Sequence, residues 1–178
     1  MVNQALLDER RMKDEFFKSH PHSPLTPDQQ KNFTSLSHYD PNPDLDLTLE
    51  AEEFEDKVVI QMQTSTGDVQ TYQKWGKISF VVGDDMAELV LFYSPSNGHF
   101  FLPFMDATSG SETYGAGRYI DPEWLEDNRF HVDFNIAYSP YCAYNDRWSC
   151  PIPPAENRLK VRIEAGEKKP DTVWAVSY

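Results

Sequence analysis

The chain has 178 residues, enough for one domain with a single core. Its aromatic content is high, and thirteen Pro against eight Gly indicate many turns and irregular connections rather than long helices. A net charge of −13 disfavours binding to nucleic acid and to anionic membranes. A high-salt source would explain this acidity, and so would ordinary solubility.

The N-terminal residues 1–40 predict a helical arm that packs on the rest of the protein. Between Ala5 and Lys18, apolar side chains fall near one stripe with charged residues between them, as in an amphipathic helix. Thr26 as N-cap and Pro27 at the first helical position then predict a second, short helix that ends near Leu36.

Residues 41–169 predict a single β-rich domain, followed by a C-terminal extension at 170–178. Leucines alternate with polar residues from Leu45 to Leu49, a pattern typical of a half-buried strand. Tight turns join the next predicted strands, which are Val58–Thr64, Val69–Trp75, Ile78–Val82, Glu88–Tyr93 and His99–Phe104. The predicted fold is mainly β, an antiparallel β-barrel or β-sandwich with one or two short N-terminal helices.

Targeting signals are not evident in the sequence. The apolar run that follows Met1 is short and soon becomes charged, unlike a secretion signal. No stretch approaches the length of apolar residues that a membrane-spanning helix needs. A soluble, cytoplasmic protein is therefore expected, and its oligomeric state stays open.

Several uncommon sequence words follow one another from Phe104 to Lys168. They are FMDATSG, ETYGAGRY, DFNIAY, PYCAY, CPIPP, ENRL and EAGEK. In this order they resemble the family catalogued as domain of unknown function 1684 (DUF1684). The resemblance is strongest over Phe104–Lys168 and fades through the N-terminal helix. It implies a compact β-rich domain, and it brings no established activity or catalytic residue.

Polar residues in this segment predict one face of a pocket. In a strand from His131 to Ile136, His131, Asp133 and Asn135 would share one side, and the apolar residues between them would face the core. Another strand face would carry Glu112 and Tyr114. A polar face of this kind commonly lines a cleft or the mouth of a barrel.

Arg118 is the expected anchor of a small, anionic ligand, since its planar guanidinium can bind a carboxylate or phosphate through two parallel hydrogen bonds. The ligand-binding candidates are Arg118, Glu112, Tyr114, Asp133, Asn135, Tyr138, Cys142 and Asn157. If the protein is an enzyme, Asp133 or Glu112 would transfer the proton. The alternative is that Arg118 pairs internally with Asp133, Glu112 or Asp106 and locks the strands together.

The two cysteines, Cys142 and Cys150, do not have the spacing of a common zinc ligand pair, and no metal site is predicted. His99 and His131 could complete such a site only if the fold happened to bring them close. A disulfide between the cysteines is disfavoured in a reducing cytosol. A nucleophilic thiol would need a neighbour that lowers its pKa, which the sequence does not reveal.

Three functions are compatible with these patterns. The favoured one is a small β-barrel domain with a polar and aromatic pocket, between Glu112 and Asn157, that binds a small molecule. A second is a split-barrel oxidoreductase that binds the phosphate of FMN through Arg118, an analogy at the level of fold class only. A third is a structural or interaction module without chemistry. The sequence requires no cofactor.

Overall fold

The structure, a computed structural model, describes residues 3–171. The helices in that range are α1 (Gln4–Ser19) and α2 (Pro27–Asn32). The strands are β1 (Asp46–Glu53), β2 (Val59–Gln63), β3 (Val69–Val82), β4 (Asp85–Ser94), β5 (His99–Phe104), β6 (Arg118–Ile120), β7 (Glu123–Trp124) and β8 (Arg129–Asp133). Short 3-10 turns lie at Pro43–Leu45, Phe134–Ile136, Tyr141–Ala143 and Ala155–Asn157.

All these strands belong to one sheet. Its order is β6-β5-β4-β3-β1-β8-β7, with β2 paired to the first part of β3, and every pair is antiparallel. The sheet curls into a half-barrel, and α1 is the main helix. The predicted mainly antiparallel β architecture with an N-terminal helix is therefore confirmed.

Strand β3 is one continuous element where the sequence predicted two. Its first part pairs with β2, its second part pairs with β1, and a register shift separates Lys74 from Gly76. A Cβ atom on Gly76 would lie 2.7 Å from the carbonyl oxygen of Glu52, so only glycine fits this close crossing. The break in the hydrophobic pattern therefore marks a β-bulge rather than a turn.

Helix α2 begins at the predicted capping signal but is shorter than expected. Thr26 and Gln29 form a reciprocal capping box at its start. The helix ends at Asn32 because the next residues extend towards α1, where the Asp14 carboxylate accepts a hydrogen bond of 2.8 Å from the Leu36 amide. Helix propensity is thus overridden by a tertiary contact.

Strand β8 also differs from the prediction, because it ends at Asp133 instead of continuing to Ile136. The Asp133 carboxylate accepts a 2.8 Å hydrogen bond from the backbone N–H of Asn135, which turns the chain into a 3-10 turn. The turn reverses the expected faces, so Asn135 is only 4% exposed whereas Ile136 is 37% exposed.

The alternating apolar residues of segment 159–163 predict a strand with one buried side, and the structure keeps this alternation without forming a strand. Ile163 is fully buried and Arg162 is exposed, as expected for a one-sided pattern. The backbone nevertheless makes separate hydrogen bonds, such as Leu159 N–H to the Met105 carbonyl (2.7 Å), instead of a continuous ladder. Burial alternates here because this irregular chain lies across the end of the core.

Candidate functional site

Arg118 is a fully buried structural residue in this fold. Its guanidinium donates to the backbone carbonyls of Ile163 (2.9 Å), Ala165 and Glu167 (3.2 Å). It also pairs with the Asp106 carboxylate at 3.4 Å, one of the internal partners that the sequence left open. The guanidinium therefore binds this chain's own C-terminal segment and does not line a cavity.

Asn157 is likewise buried among backbone groups. Its amide oxygen accepts from the Val90 N–H (2.8 Å), and its amide nitrogen donates to the carbonyls of Val90 (2.9 Å) and Pro103 (2.8 Å). These bonds hold the 155–157 turn against β4 and β5. Because all of its strong hydrogen-bonding capacity is used internally, Asn157 has a structural role here.

Asp133 and Asn135 stay together, beside a recess of about 590 Å³ near the start of α1. The Asn135 side chain bonds the backbone of Asn42 through both its oxygen (2.6 Å to N) and its nitrogen (2.8 Å to O). It also donates to the Asp133 carboxylate at 2.8 Å. These contacts attach the chain that precedes β1 to the end of β8.

Glu112 lies on the surface, where its carboxylate accepts hydrogen bonds from Arg162 and from the Tyr39 hydroxyl (2.7 Å). The bond from Arg162, followed by that from Tyr39, lowers the pKa of Glu112. A carboxylate that stays ionised in this way cannot serve as a proton donor near neutral pH.

The remaining candidates occupy two neighbouring cavities. Tyr114 and Cys142 line a small recess of about 190 Å³, where the Tyr114 hydroxyl lies 3.7 Å from the Cys142 sulfur. Tyr138 lines a separate cleft of about 520 Å³. The structure thus distributes the eight candidates over several places instead of gathering them in one pocket.

The cleft that holds Tyr138, hereafter the aromatic cleft, lies where the β3-to-β6 part of the sheet meets the loop from Tyr138 to Pro151 and α1. It is lined by Lys13, Gln70, Tyr72, Ser94, Asn97, His99, Phe101, Tyr119, Asp121, Tyr138, Pro140, Tyr141, Trp148, Ser149, Cys150 and Pro151.

The floor of the aromatic cleft is a row of rings contributed by three strands. Tyr72 of β3 stacks on Phe101 of β5 at 5.2 Å between centroids, and Phe101 meets the edge of Tyr119 of β6 at 4.8 Å. Trp148 and Tyr141 of the loop also line the cleft, and their ring centroids lie 5.1 Å apart. Such stacked and edge-to-face pairs restrain one another's rotation, so the ring surface is largely preorganised.

Polar groups are spaced around these rings. The Tyr138 hydroxyl donates to the Asp121 carboxylate at 2.8 Å, and the Tyr119 hydroxyl donates to the carbonyl of Pro151. Burial raises the pKa of both phenols above the ordinary value, and for Tyr138 the nearby Asp121 charge acts in the same direction. Both hydroxyls therefore stay protonated and act as hydrogen-bond donors at neutral pH.

Lys13 brings a positive charge from α1 to the cleft wall. Its ammonium lies 5.0 Å from the ring centroid of Tyr138 and 2.5 Å from the Glu167 carboxylate. Glu167 is only 3% exposed, and its carboxylate also accepts a hydrogen bond of 2.8 Å from the Ser139 N–H. This buried carboxylate positions the lysine.

Part of the lining of the aromatic cleft lies in the region that the sequence predicted, and part of it lies outside. The wall residues from Tyr119 to Pro151 lie within the expected Glu112–Asn157 region, but Tyr72, Phe101 and Lys13 lie outside it. Aromatic residues on neighbouring strands could have indicated Tyr72 and Phe101. Nothing local in the sequence connects Lys13 with the cleft, since that contact depends on how α1 packs.

Residues 3–171 provide neither a cluster of metal ligands nor a membrane-spanning helix. That part of the chain contains no group of three or more His, Cys, Asp or Glu side chains placed to hold a metal ion. It also contains no helix that is both long and apolar enough to cross a membrane.

Comparison with known proteins shows the family to which this chain belongs. The model of a protein family of unknown function, DUF1684, matches residues 31–168, well over half of the chain. The chain is a member of the DUF1684 family. This confirms the resemblance found in the sequence words between Phe104 and Lys168.

A solved structure has a fold similar to that of this DUF1684 chain. The solution NMR structure of an uncharacterised protein from Haloarcula marismortui matches with a TM-score of 0.70 and 34% sequence identity, over 93% of this chain and 92% of that one. No curated protein matches the chain. Neither the DUF1684 family nor the Haloarcula protein carries an assigned activity, so function must be argued from the cleft itself.

Proposed function

We propose that this DUF1684 domain binds a small molecule with a flat, largely apolar ring in the aromatic cleft. The observation that carries the proposal is the convergence of ring side chains from three strands and one loop on an open cleft of about 520 Å³. Small-molecule sites in proteins typically have volumes of about 300–1,000 Å³ and combine apolar walls with a few polar groups.

The rings support a planar ligand in particular. Trp148 and Tyr141 on one wall, and the Tyr72–Phe101 stack on the floor, are aromatic surfaces in contact with the cleft. Aromatic rings contribute about 0.5–1.5 kcal/mol per ring pair beyond the area that they bury. Several aromatic surfaces around one cleft favour a planar ligand, which can stack on aromatic side chains with both faces of its ring.

The charges of the lining favour a neutral or weakly charged ligand over the anion that Arg118 suggested. Among the lining residues, Lys13 carries the permanent positive charge. The Glu167 carboxylate, 2.5 Å away, already neutralises its ammonium. Asp121 adds a carboxylate on the same side of the cleft, bonded to Tyr138. A ligand hydroxyl or amide that donates to Asp121 would complement these charges.

The proposal is tested by screening ring compounds against the purified protein. We would use thermal shift and Trp fluorescence with a panel of nucleosides, aromatic amides, aromatic acids, sugars and FMN. A ligand that binds only the folded state raises the free energy of unfolding by RT ln(1 + L/Kd), where L is the free ligand concentration, so a tighter ligand gives a larger shift at the same concentration. We expect neutral ring compounds to stabilise the protein, and Trp148→Ala to weaken the strongest hit at least about tenfold.

Trp124→Ala is the matched control, since Trp124 is an exposed tryptophan (57%) on β7 that does not line the cleft. It should leave the affinity of every hit unchanged. If no compound stabilises the protein, or if both variants affect a hit equally, the cleft is not a ring-binding site. The structural or interaction module then becomes the better account, whereas preferential binding of FMN would favour the flavin function.

A further inference from the structure

The two cysteines lie between the aromatic cleft and the small recess that adjoins it. Cys142 faces the recess, Cys150 faces the cleft, and both are reduced and buried, at 7% and 8% exposure. The Cys142 backbone N–H donates to the Cys150 sulfur at 3.3 Å, which places the two residues in direct contact. The fold thus brings together two thiols that the sequence separates by seven residues.

Cys142 has a hydroxyl donor beside its sulfur. The Tyr114 hydroxyl lies 3.7 Å from the Cys142 sulfur, whereas the Ser65 hydroxyl donates to the Trp148 carbonyl at 3.1 Å. The neighbouring Cys150 thiol, followed by the Tyr114 hydroxyl, lowers the pKa of Cys142, whereas the proximity of Cys142 raises the pKa of Cys150. Cys142 is therefore the more readily ionised thiol, and it is also the one that lines the recess beside Tyr114.

We propose that Cys142 is a peroxide-reactive thiol and that Cys150 resolves its oxidised form into a reversible disulfide. The inference concerns a modification site and stands whether or not the cleft binds a ligand.

The chemistry balances with hydrogen peroxide as the oxidant. The Cys142 thiolate attacks one peroxide oxygen and the O–O bond breaks, so the sulfur is oxidised to sulfenic acid and the other oxygen leaves as hydroxide, which takes up a proton to become water. The Cys150 thiol then loses its proton and attacks the Cys142 sulfur, and the S–S bond forms as the sulfenic hydroxyl leaves as a second water. Two thiols and one peroxide thus yield one disulfide and two waters.

The size and charge of the recess favour peroxide over a bulky disulfide oxidant. Its volume is only about 190 Å³, and Asp146 and Trp148 form part of its wall. Glutathione disulfide is much larger than this space, and its carboxylates would be repelled by Asp146. Hydrogen peroxide is small and neutral, and it can accept a hydrogen bond from the Tyr114 hydroxyl, which lines the recess.

The test follows the two thiols of the full chain by intact-mass spectrometry after peroxide treatment, denaturation and alkylation. We expect the wild type to lose two hydrogens, to take up no alkylating agent and to recover both thiols with dithiothreitol. In Cys150→Ser, dimedone should trap a sulfenic acid at Cys142. In Cys142→Ser, Cys150 should remain a free thiol at the same peroxide concentration.

A comparison that needs no variant measures how much the fold contributes. At pH 6 the folded wild type should form the disulfide at least about tenfold faster than the same chain unfolded in guanidinium, because an ordinary thiol has little thiolate at that pH. Equal rates in the two states would overturn the proposal. The proposal would also be overturned if the wild-type thiols stayed alkylatable at a peroxide concentration that oxidises free cysteine. Dimedone labelling of Cys150 in Cys142→Ser would overturn it as well.

Discussion

Arg118 and Asp106 form an ion pair, 3.4 Å apart, in which both side chains are almost completely excluded from solvent. Asp106 also accepts a 2.7 Å hydrogen bond from the Ile163 N–H, and Arg118 donates to the Ile163 carbonyl at 2.9 Å. The pair therefore binds both the N–H and the carbonyl of Ile163. It attaches the irregular C-terminal chain to strands β5 and β6.

Replacing Arg118 should therefore unfold the protein more readily rather than abolish ligand binding alone. Arg118→Met leaves the Asp106 carboxylate and several buried carbonyls without their partner, and we expect a loss of about 3–5 kcal/mol in the free energy of unfolding. Urea unfolding measures this loss. The exposed arginine Arg162 (Arg162→Met) is the control, and its replacement should change the free energy of unfolding far less. Similar losses for both would contradict a structural role of Arg118.

Glu167 is expected to stabilise the contact between α1 and the cleft wall. Glu167→Ala removes the acceptor of Lys13 and of the buried Ser139 N–H, so we expect a loss of about 3 kcal/mol in the free energy of unfolding. Glu164→Ala, at an exposed glutamate of the same segment, should change it by less than about 0.5 kcal/mol. Guanidinium titrations of both variants check the difference, and a neutral Glu167→Ala would disprove it.

Gly166 should tolerate no side chain. It adopts φ +76°, and a Cβ atom there would lie 2.6 Å from the Ala137 carbonyl oxygen and 2.7 Å from that of Phe134. Gly67 also has a positive φ, +86°, but no atom lies within 4 Å of its Cβ position. Gly67→Ala should cost about 1 kcal/mol from backbone strain alone, and Gly166→Ala clearly more. Calorimetric melting curves rank the two variants, and an equal cost would refute the close packing.

His38 should make the protein less stable in mild acid. Burial lowers its pKa from 6.5 to about 4 in the folded state, so the neutral form is favoured by folding. This contribution is complete above pH 6.5 and is lost as the pH falls from 6.5 towards 4, because the unfolded chain binds the proton first. We expect a loss of about 3 kcal/mol in the free energy of unfolding across this window from His38.

The matched variant is His38→Gln, which cannot titrate. The difference in unfolding free energy between wild type and variant, measured by urea titration at several pH values, should change between pH 6.5 and 4 and be constant above. A difference that does not vary with pH would show that His38 is not held neutral by the fold.

Local patterns were sufficient for much of the secondary structure. Strand β1 follows from the alternating leucines at Leu45 to Leu49, and α2 begins at the capping signal of Thr26. The predicted strand bounds are wrong at positions where a residue contacts another part of the chain or caps a turn. Gly76 interrupts the pattern of β3 because β1 crosses it closely, and β8 stops where Asp133 caps the following turn.

The candidate site was less predictable than the fold. Arg118, Asn157 and Glu112 carry the chemical groups of a binding site, but a sequence does not reveal which acceptors surround them. In the fold, the Arg118 guanidinium donates to backbone carbonyls, and the Asn157 amide bonds to backbone groups of β4 and β5. The Glu112 carboxylate pairs with Arg162.

Arg118 shows the difference between what the sequence determines and what only the tertiary structure determines. The sequence by itself determined the antiparallel β class, the N-terminal helix and the DUF1684 membership, because these depend on residue periodicity, capping and the order of motif words. Only the tertiary structure decided that Arg118 is an internal anchor, that Lys13 reaches the aromatic cleft, and that Cys142 contacts Cys150. Those relations depend on distances between residues remote in the chain, which burial and packing set together.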